Sequence, residues 1–70
     1  MENVKALLNT SVADAKSTLE CALQGNPLGT LADAQLAIDF IYQYGYADGQ
    51  KSRLAMLNTI VNKARKALRN

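Results

Sequence analysis

The segment Gly25-Asn26-Pro27-Leu28-Gly29 interrupts a chain that otherwise favours helix, and it decides the predicted fold. Pro27 cannot continue a preceding helix, and Gly25 can take the left-handed conformation that often closes a helix. Thr30 then offers a hydroxyl as the N-cap of a second helix, with Asp33 in the positively polarised first turn. The sequence therefore predicts two helices joined at this break.

The first predicted helix covers residues 2–24, because apolar residues recur every three or four positions along it. Cys21 lies on the other side of this helix, near Asp14 and Thr18, and we interpret it as a surface thiol without a role. The apolar stripe consists of Val4, Leu8, Val12, Ala15, Leu19, Ala22 and Leu23.

The second predicted helix runs from Leu31 to Leu68, with a heptad pattern typical of a left-handed helical seam. It would span about 57 Å against about 35 Å for the first helix. Either another chain covers the excess length, or the helix breaks near Gly45–Gly49. The a positions are Asp33, Phe40, Ala47, Leu54, Val61 and Leu68, and the d positions are Leu36, Gln43, Gln50, Leu57 and Ala64.

The length of 70 residues fits one domain, residues 1–70, with little apolar surface to bury. One cysteine and no histidine exclude an internal disulfide and the usual Cys/His zinc site. We therefore expect an all-α helical hairpin that completes its core by assembling into a symmetric homo-oligomer.

The composition disfavours catalysis and membrane insertion. Histidine, the commonest general base, is absent, and no phosphate-binding glycine motif occurs. We expect a non-enzymatic protein without metal or cofactor. No apolar run reaches the roughly 18–20 residues of a membrane span, and the N-terminus does not resemble a signal peptide. We expect a cytoplasmic protein with no membrane partner.

The net charge of +2 hides a strong asymmetry, because residues 1–49 carry −4 and residues 50–70 carry +6 without one acid. Such a field attracts anions, although cations near a helix C-terminus also complement the helix dipole. The predicted apolar face of this last segment consists of Leu54, Leu57, Val61, Ala64 and Leu68. The predicted polar stripe beside it consists of Lys51, Asn58, Asn62, Arg65, Lys66 and Arg69, with Lys63 further round.

The segment from Tyr42 to Gln50 is a poor helix that contains all three tyrosines and two glycines. Tyrosines stack on flat rings, glutamines bond to polar edges and cations hold phosphates, so a site for a small planar anion is one hypothesis. Simple packing, in which Gly45 and Gly49 let two helices approach, is the other. The candidate ligand-binding residues are Tyr42, Gln43, Tyr44, Tyr46, Gln50, Lys51, Arg53 and Arg65.

The stretch Tyr42-Gln43-Tyr44-Gly45-Tyr46, followed by Lys51 and Arg53, resembles an aromatic-Gln-x-Gly-aromatic signature. A similar signature occurs in small phage sponge proteins that sequester cyclic oligonucleotide signals of the CBASS defence system. The resemblance implies a short, helical, oligomeric viral protein that holds its ligand between chains. The chain departs from that family in two ways. The family has Arg and Thr shortly before the aromatic residue, a region that here contains Asp39 and Phe40, and its signature lies near the chain end, whereas 24 residues follow Tyr46 here.

Three functions follow as hypotheses. The favoured one is a small accessory protein, encoded by a phage and directed against host defence, that sequesters an anionic nucleotide-like ligand between subunits. The second is a protein-interaction module that regulates a host protein through the exposed seam of the long helix. The third is a nucleic-acid-binding regulator that uses the basic C-terminal helix.

Overall fold

The computed structural model describes residues 6–45 and 47–69, and its architecture is all-helical, as the sequence predicted. α2 and α3 share the most extensive interface, and α1 packs against both of them. The arrangement is a three-helix bundle rather than the predicted hairpin. Its elements are α1 (Val12–Gly25), α2 (Pro27–Gln43), a 3-10 turn (Ala47–Gly49) and α3 (Lys51–Arg69).

The predicted first helix over residues 2–24 is wrong in its N-terminal part. Residues 2–5 lie outside the described residues; residues 6–8 are helical, and this helix ends before α1 begins. Ser11 is the N-cap of α1, and its hydroxyl accepts a hydrogen bond of 3.1 Å from the amide of Asp14. A serine that bonds its own backbone in this way favours a helix start over helix continuation, which explains the interruption.

The junction between α1 and α2 is tighter than predicted, because Asn26 alone separates the two helices. Asn26 donates its amide to the carbonyl of Ala22 at the end of α1, and its side chain accepts from the amide of Gly29 at 3.0 Å. The predictions of Gly25 as a left-handed cap and of Thr30 as N-cap are therefore wrong. Pro27 occupies the first turn of α2, where its missing N–H costs nothing.

Thr30 and Asp33 lie further inside α2 than the sequence predicted. Thr30 is buried, and its hydroxyl donates to the carbonyl oxygen of Asn26 at 2.8 Å. Asp33 lies beyond the first turn, so its carboxylate is not placed against the amides that the helix start leaves open. The N-cap of α2 is four residues earlier than predicted, because the side chain of Asn26 accepts a hydrogen bond from the amide of Gly29 in the first turn.

The single helix predicted from Leu31 to Leu68 is wrong, and the competing prediction of a break near Gly45–Gly49 is confirmed. Tyr44 ends α2, and Gly45 follows with a φ of 73°, a conformation that side chains with a Cβ rarely adopt. The 3-10 turn then redirects the chain into α3. The break lets α3 fold back along α2, so the bundle buries within one chain much of what the long helix would have exposed.

The core lies where the inner faces of the three helices meet. Ile41, Leu57 and Ile60 are the largest side chains with almost no exposed surface. Alanines that are completely buried, on all three helices, let the backbones approach closely. These alanines are Ala15, Ala34, Ala37 and Ala64.

The heptad pattern identified the inner face of α3 but not that of α2. Leu54, Leu57 and Val61 are buried, as the pattern predicted. Leu36 and Leu68 are 48% and 45% exposed. The pattern assigned them to the inner face because it assumed one continuous helix packed against a partner chain. In the bundle, the face of α2 that carries Ala34 and Ala37 turns inward instead.

Among the residues that the structure describes, no helix combines the length and the apolar character needed to cross a bilayer. Cys21 is exposed on α1, in agreement with its interpretation as a surface thiol.

Candidate ligand-binding groove

The structure separates the predicted ligand-binding residues into different surroundings. Tyr42, Gln43, Tyr44, Lys51 and Arg65 are exposed. Gln50 is half-buried and Arg53 is buried. Tyr46 lies outside the described residues. The predicted cluster is therefore not assembled as one site within the part of the chain that the structure describes.

Arg53 is enclosed by the bundle, with 7% of its surface exposed. Its Nη1 donates to the carbonyl oxygen of Leu7 at 2.5 Å, and its Nη2 donates to that of Thr10 at 2.6 Å. Its Nε donates to Oε1 of Gln50 at 3.0 Å. All three guanidinium nitrogens are thus engaged by acceptors of the protein, which makes Arg53 unsuited to hold a ligand.

A cavity of about 340 Å³ lies between the N-terminal segment and the end of α2. Tyr44 stacks on Phe40 beside it, with ring centroids 4.4 Å apart and planes inclined by 31°. Such a stacked pair lowers the surface that either ring can offer to a ligand. The cavity is lined by Leu8, Asn9, Phe40, Ile41 and Gln50.

A larger and more polar groove runs between α2 and α3 on the opposite side of α2. We call it the α2–α3 groove. Its volume of about 470 Å³ is within the range of roughly 300–1,000 Å³ typical of small-molecule sites. It is lined by Gln35, Ile38, Asp39, Asn58, Val61, Asn62 and Arg65.

Helical spacing explains how the polar side chains meet in the α2–α3 groove. Asn58, Asn62 and Arg65 follow one another at intervals of four and three residues, so they share one side of α3. Gln35 and Asp39 do the same on α2. The groove thus offers three amides, one carboxylate and one guanidinium, none of which makes a hydrogen bond or ion pair within the described residues.

Apolar side chains complete the α2–α3 groove. Ile38 and Val61 are largely covered and contribute apolar surface to its lining. Tyr42 stands one helical turn beyond Ile38 and three residues from Asp39, and it is 61% exposed. Tyr42 is not among the residues that line the groove, and its position on α2 is beyond Ile38 and Asp39, toward the connection between α2 and α3.

The exposed side of α3 is strongly basic, because five of the six Lys or Arg residues of the helix are exposed, Arg53 being buried, and the helix contains no acid. Within the described residues, Lys63 pairs with Glu20 of α1 at 3.7 Å, and Glu20 also pairs with Lys16 at 3.8 Å. Lys51, Arg65 and Arg69 lie within an arc of about 60° at 100° per residue, together with Asn58 and Asn62. Lys66 flanks that arc, so four exposed cations surround the groove side of the helix.

The outer surface of α2 carries apolar side chains that the bundle does not cover. Leu28 is 65% exposed and Leu36 is 48% exposed. Together with Tyr42 they extend along α2 beside the groove. At 100° per residue Leu28 and Tyr42 lie about 40° apart around α2, and Leu36 lies about 80° from Leu28, so the three side chains border the groove without forming one stripe. Monomeric proteins also expose single apolar residues.

The sequence predicted part of the groove. Asn58, Asn62 and Arg65 belong to the predicted polar stripe, and Arg65 is also a predicted ligand-binding residue that lines the groove. Gln35 and Asp39 were missed, because their position opposite α3 depends on the break at Gly45 and on the register between the helices. Their spacing of four residues was the one signal available. Among the described residues, no cluster of acidic or cysteine side chains could hold a metal ion.

The fold and the groove define a small three-helix protein with a polar, cation-bordered surface site. A comparison of the chain with protein-family models, with curated proteins and with solved structures finds no match.

Proposed function

We propose that this chain is a non-enzymatic binding protein that sequesters an anionic, nucleotide-like ligand in the α2–α3 groove. The observation that carries the proposal is the placement of Arg65 beside Asn58 and Asn62 on an exposed helix face without an acid of its own. A guanidinium presents its N–H groups in a fork that matches the oxygens of a phosphate. The neighbouring amides both donate and accept hydrogen bonds, as recognition of a polar ring requires.

Each part of the groove has a role in this proposal. Arg65 holds a phosphate, while Asn58 and Asn62 bond to the edge of the ring. Tyr42 stacks on the ring from its position beside the groove, an interaction that aromatic side chains commonly make with nucleobases. Lys51 and Arg69 lie further along the same side of α3 and increase the local concentration of the anion through their field.

The proposal includes a second copy of the chain that covers the outer surface of α2. Leu28, Leu36 and Tyr42 are exposed there, and the groove beside them is open. A copy packed on this surface would bury the leucines and add a wall to the groove, which raises the fraction of a ligand that is enclosed. We therefore keep the symmetric homo-oligomer and the ligand site between subunits as parts of the proposal, with the second subunit packed on α2 beside the groove.

Sequestration is the biological role that we propose for this binding. It agrees with the resemblance of residues 42–46 to the phage sponge proteins, and the anti-defence role is proposed on that basis. Gln43 and Tyr44 of the same stretch are exposed and lie outside the α2–α3 groove. In this proposal they therefore contribute to the surface around the site and not to its lining.

Isothermal titration with a set of nucleoside 5′-monophosphates tests the proposal. Arg65→Gln removes the phosphate contact and should weaken binding at least tenfold, in line with about 1.5–3 kcal/mol for a hydrogen bond to a charged group. Arg69→Gln is the matched control, because it removes the same charge one turn away and outside the groove lining. It should change affinity less than threefold. If none of these nucleotides gives a heat of binding at concentrations up to about 1 mM, the proposal is refuted.

Nucleic-acid binding is the second candidate, and a different observation favours it. The exposed cations of α3 lie at its two ends, with Lys51 in the first turn and Lys63, Arg65, Lys66 and Arg69 in the last two turns. Together they span about 28 Å, which is longer than a single nucleotide needs. In this case Arg65→Gln and Arg69→Gln would weaken binding equally. The affinity for a short duplex or single strand would also fall as the salt concentration rises. A plot of the logarithm of the binding constant against the logarithm of the salt concentration would have a slope of about −3 if three or four phosphates are neutralised.

A further inference from the structure

We infer that the α2–α3 groove selects guanine among the nucleobases, an inference that rests on the proposed binding of a nucleotide-like ligand. The feature behind it is Asp39, which lines a groove otherwise suited to an anion. Its carboxylate makes no ion pair with any described Lys or Arg, and it makes no hydrogen bond within the described residues. An unpaired carboxylate in this position repels a phosphate. The groove suits a phosphorylated ligand only if another part of the ligand donates hydrogen bonds to Asp39.

The partner that suits Asp39 is a pair of neighbouring N–H donors. An ionised carboxylate only accepts hydrogen bonds, through two oxygens side by side. Guanine places its N1–H and its exocyclic N2 amino group next to each other on one edge, so both oxygens can accept at once. Adenine and cytosine offer only one exocyclic amino group beside an acceptor nitrogen, and an acceptor facing the carboxylate is repelled.

The amides on the opposite wall fit the remaining groups of the same base. Asn58 and Asn62 lie one turn apart on α3, facing the groove. Guanine carries two acceptors, O6 and N7, and amide N–H groups donate well to such atoms. Donors on α3 and an acceptor on α2 therefore match a base with acceptors on one side and donors on the other.

The positions of Arg65 and Tyr42 fit this orientation. Arg65 follows Asn62 by three residues and holds the phosphate at the end of the groove away from the connecting turn. Tyr42 lies on α2 beyond Ile38 and Asp39, toward that turn. A base between the two walls thus has its phosphate next to the cation and its ring next to the aromatic side chain, while Asp39 is directed to the base and away from the phosphate.

Titrations of the full chain with GMP, IMP and AMP test the inference, because the three probes carry the same phosphate. IMP retains N1–H, O6 and N7 but lacks the N2 amino group. We expect GMP to bind at least tenfold more tightly than AMP, with IMP between them, since one good bidentate contact discriminates by about that factor. Asp39→Asn should abolish the preference for GMP over AMP. Asp48→Asn, an exposed acid in the 3-10 turn outside the groove, is the matched control and should preserve it.

The outcomes separate this inference from the proposed function. If Asp39 acts only by repelling phosphate, Asp39→Asn will raise the affinity for all three probes by the same factor, and the inference is wrong. Equal affinity of the unmodified chain for GMP and AMP, together with a loss of both in Arg65→Gln, would also overturn the guanine preference while the nucleotide site stands. If none of the three probes binds, both the inference and the proposed function fail.

Discussion

The Nη1 atom of Arg53 donates a hydrogen bond of 2.5 Å to the carbonyl oxygen of Leu7, which lies 46 residues earlier in the chain. Leu7 is at the end of a helical turn, where carbonyl groups have no partner within the helix. Thr10 receives the second bond, at 2.6 Å. One guanidinium therefore satisfies carbonyls of the N-terminal segment and fixes this segment against α3, with the Leu7 side chain in the core.

Replacement of Arg53 by Leu should lower the free energy of unfolding by about 3 kcal/mol. The variant leaves the carbonyls of Leu7 and Thr10 without their donor, and a hydrogen bond to a charged group contributes about 1.5–3 kcal/mol. For a chain of this size the melting temperature should fall by at least about 12 °C. Chemical denaturation followed by circular dichroism measures the change.

Arg53→Lys and Lys51→Leu are the controls for that prediction. Lysine retains the charge but not the three-pronged geometry, so we expect an intermediate loss. Lys51 is exposed two residues away, and its replacement should change the stability by less than about 0.5 kcal/mol. A loss for Arg53→Leu no larger than that for Lys51→Leu would contradict the structural role of Arg53.

Asn26→Ala should destabilise the bundle by about 1 kcal/mol, because the variant removes the side-chain cap of α2. Asn26→Asp preserves the acceptor, and its negative charge lies at the positive end of α2 but also at the negative end of α1, so it should retain about the stability of the parent chain. Thermal melts of the two variants beside the parent chain measure the effect. Equal melting temperatures for Asn26→Ala and Asn26→Asp would show that the hydrogen bond of 3.0 Å from the amide of Gly29 to Oδ1 of Asn26 contributes nothing to the stability.

Gly45→Ala should lower the free energy of unfolding by about 1 kcal/mol. Gly45 has a φ of 73°, and an added Cβ is strained there even though no atom stands within 4 Å of it. Gly49→Ala is the matched control, since the space around Gly49 is equally open and its φ is not in the left-handed region. It should be neutral or slightly stabilising. A larger loss at Gly49 than at Gly45 would contradict the described turn.

Leu36→Glu should dissociate the proposed homo-oligomer without unfolding the bundle. Leu36 is 48% exposed on the outer surface of α2, so a charge there costs little in a single chain but disfavours an apolar contact between copies. Light scattering after size-exclusion chromatography gives the mass, and circular dichroism checks the helix content. Gln24→Glu adds the same charge on exposed α1 and should leave the mass unchanged. A monomeric parent chain would refute the assembly.

The sequence predicted the helical class and the inner face of α3 well, because Leu54, Leu57 and Val61 repeat with the period of a buried stripe. It predicted the three-helix bundle poorly, because single residues determine where the helices begin and end. The hydroxyl of Ser11 and the side-chain amide of Asn26 cap the starts of α1 and α2, and a pattern of apolar residues contains no information about either cap. One glycine with positive φ converts a long helix into two packed ones.

The site was harder to predict than the fold for a related reason. Proximity in sequence suggested that Gln50, Lys51 and Arg53 act together with the tyrosines. In a helix, however, neighbours in sequence point in different directions, so Arg53 turns into the core while Lys51 faces outward. Asp39 and Arg65 come together only through the packing of α2 on α3, which no local pattern reports.

The most direct test of the α2–α3 groove as the ligand site is a ¹H–¹⁵N correlation spectrum of the labelled chain during titration with GMP. If the ligand binds in this groove, the largest shift changes should occur at the side-chain amides of Asn58 and Asn62 and at the backbone amides around Arg65. Side-chain amides report directly on hydrogen bonding to a ligand and are resolved from the backbone. Changes confined to Tyr44 and Gln50, beside the other cavity, or a spectrum that does not change at all, would contradict the claim.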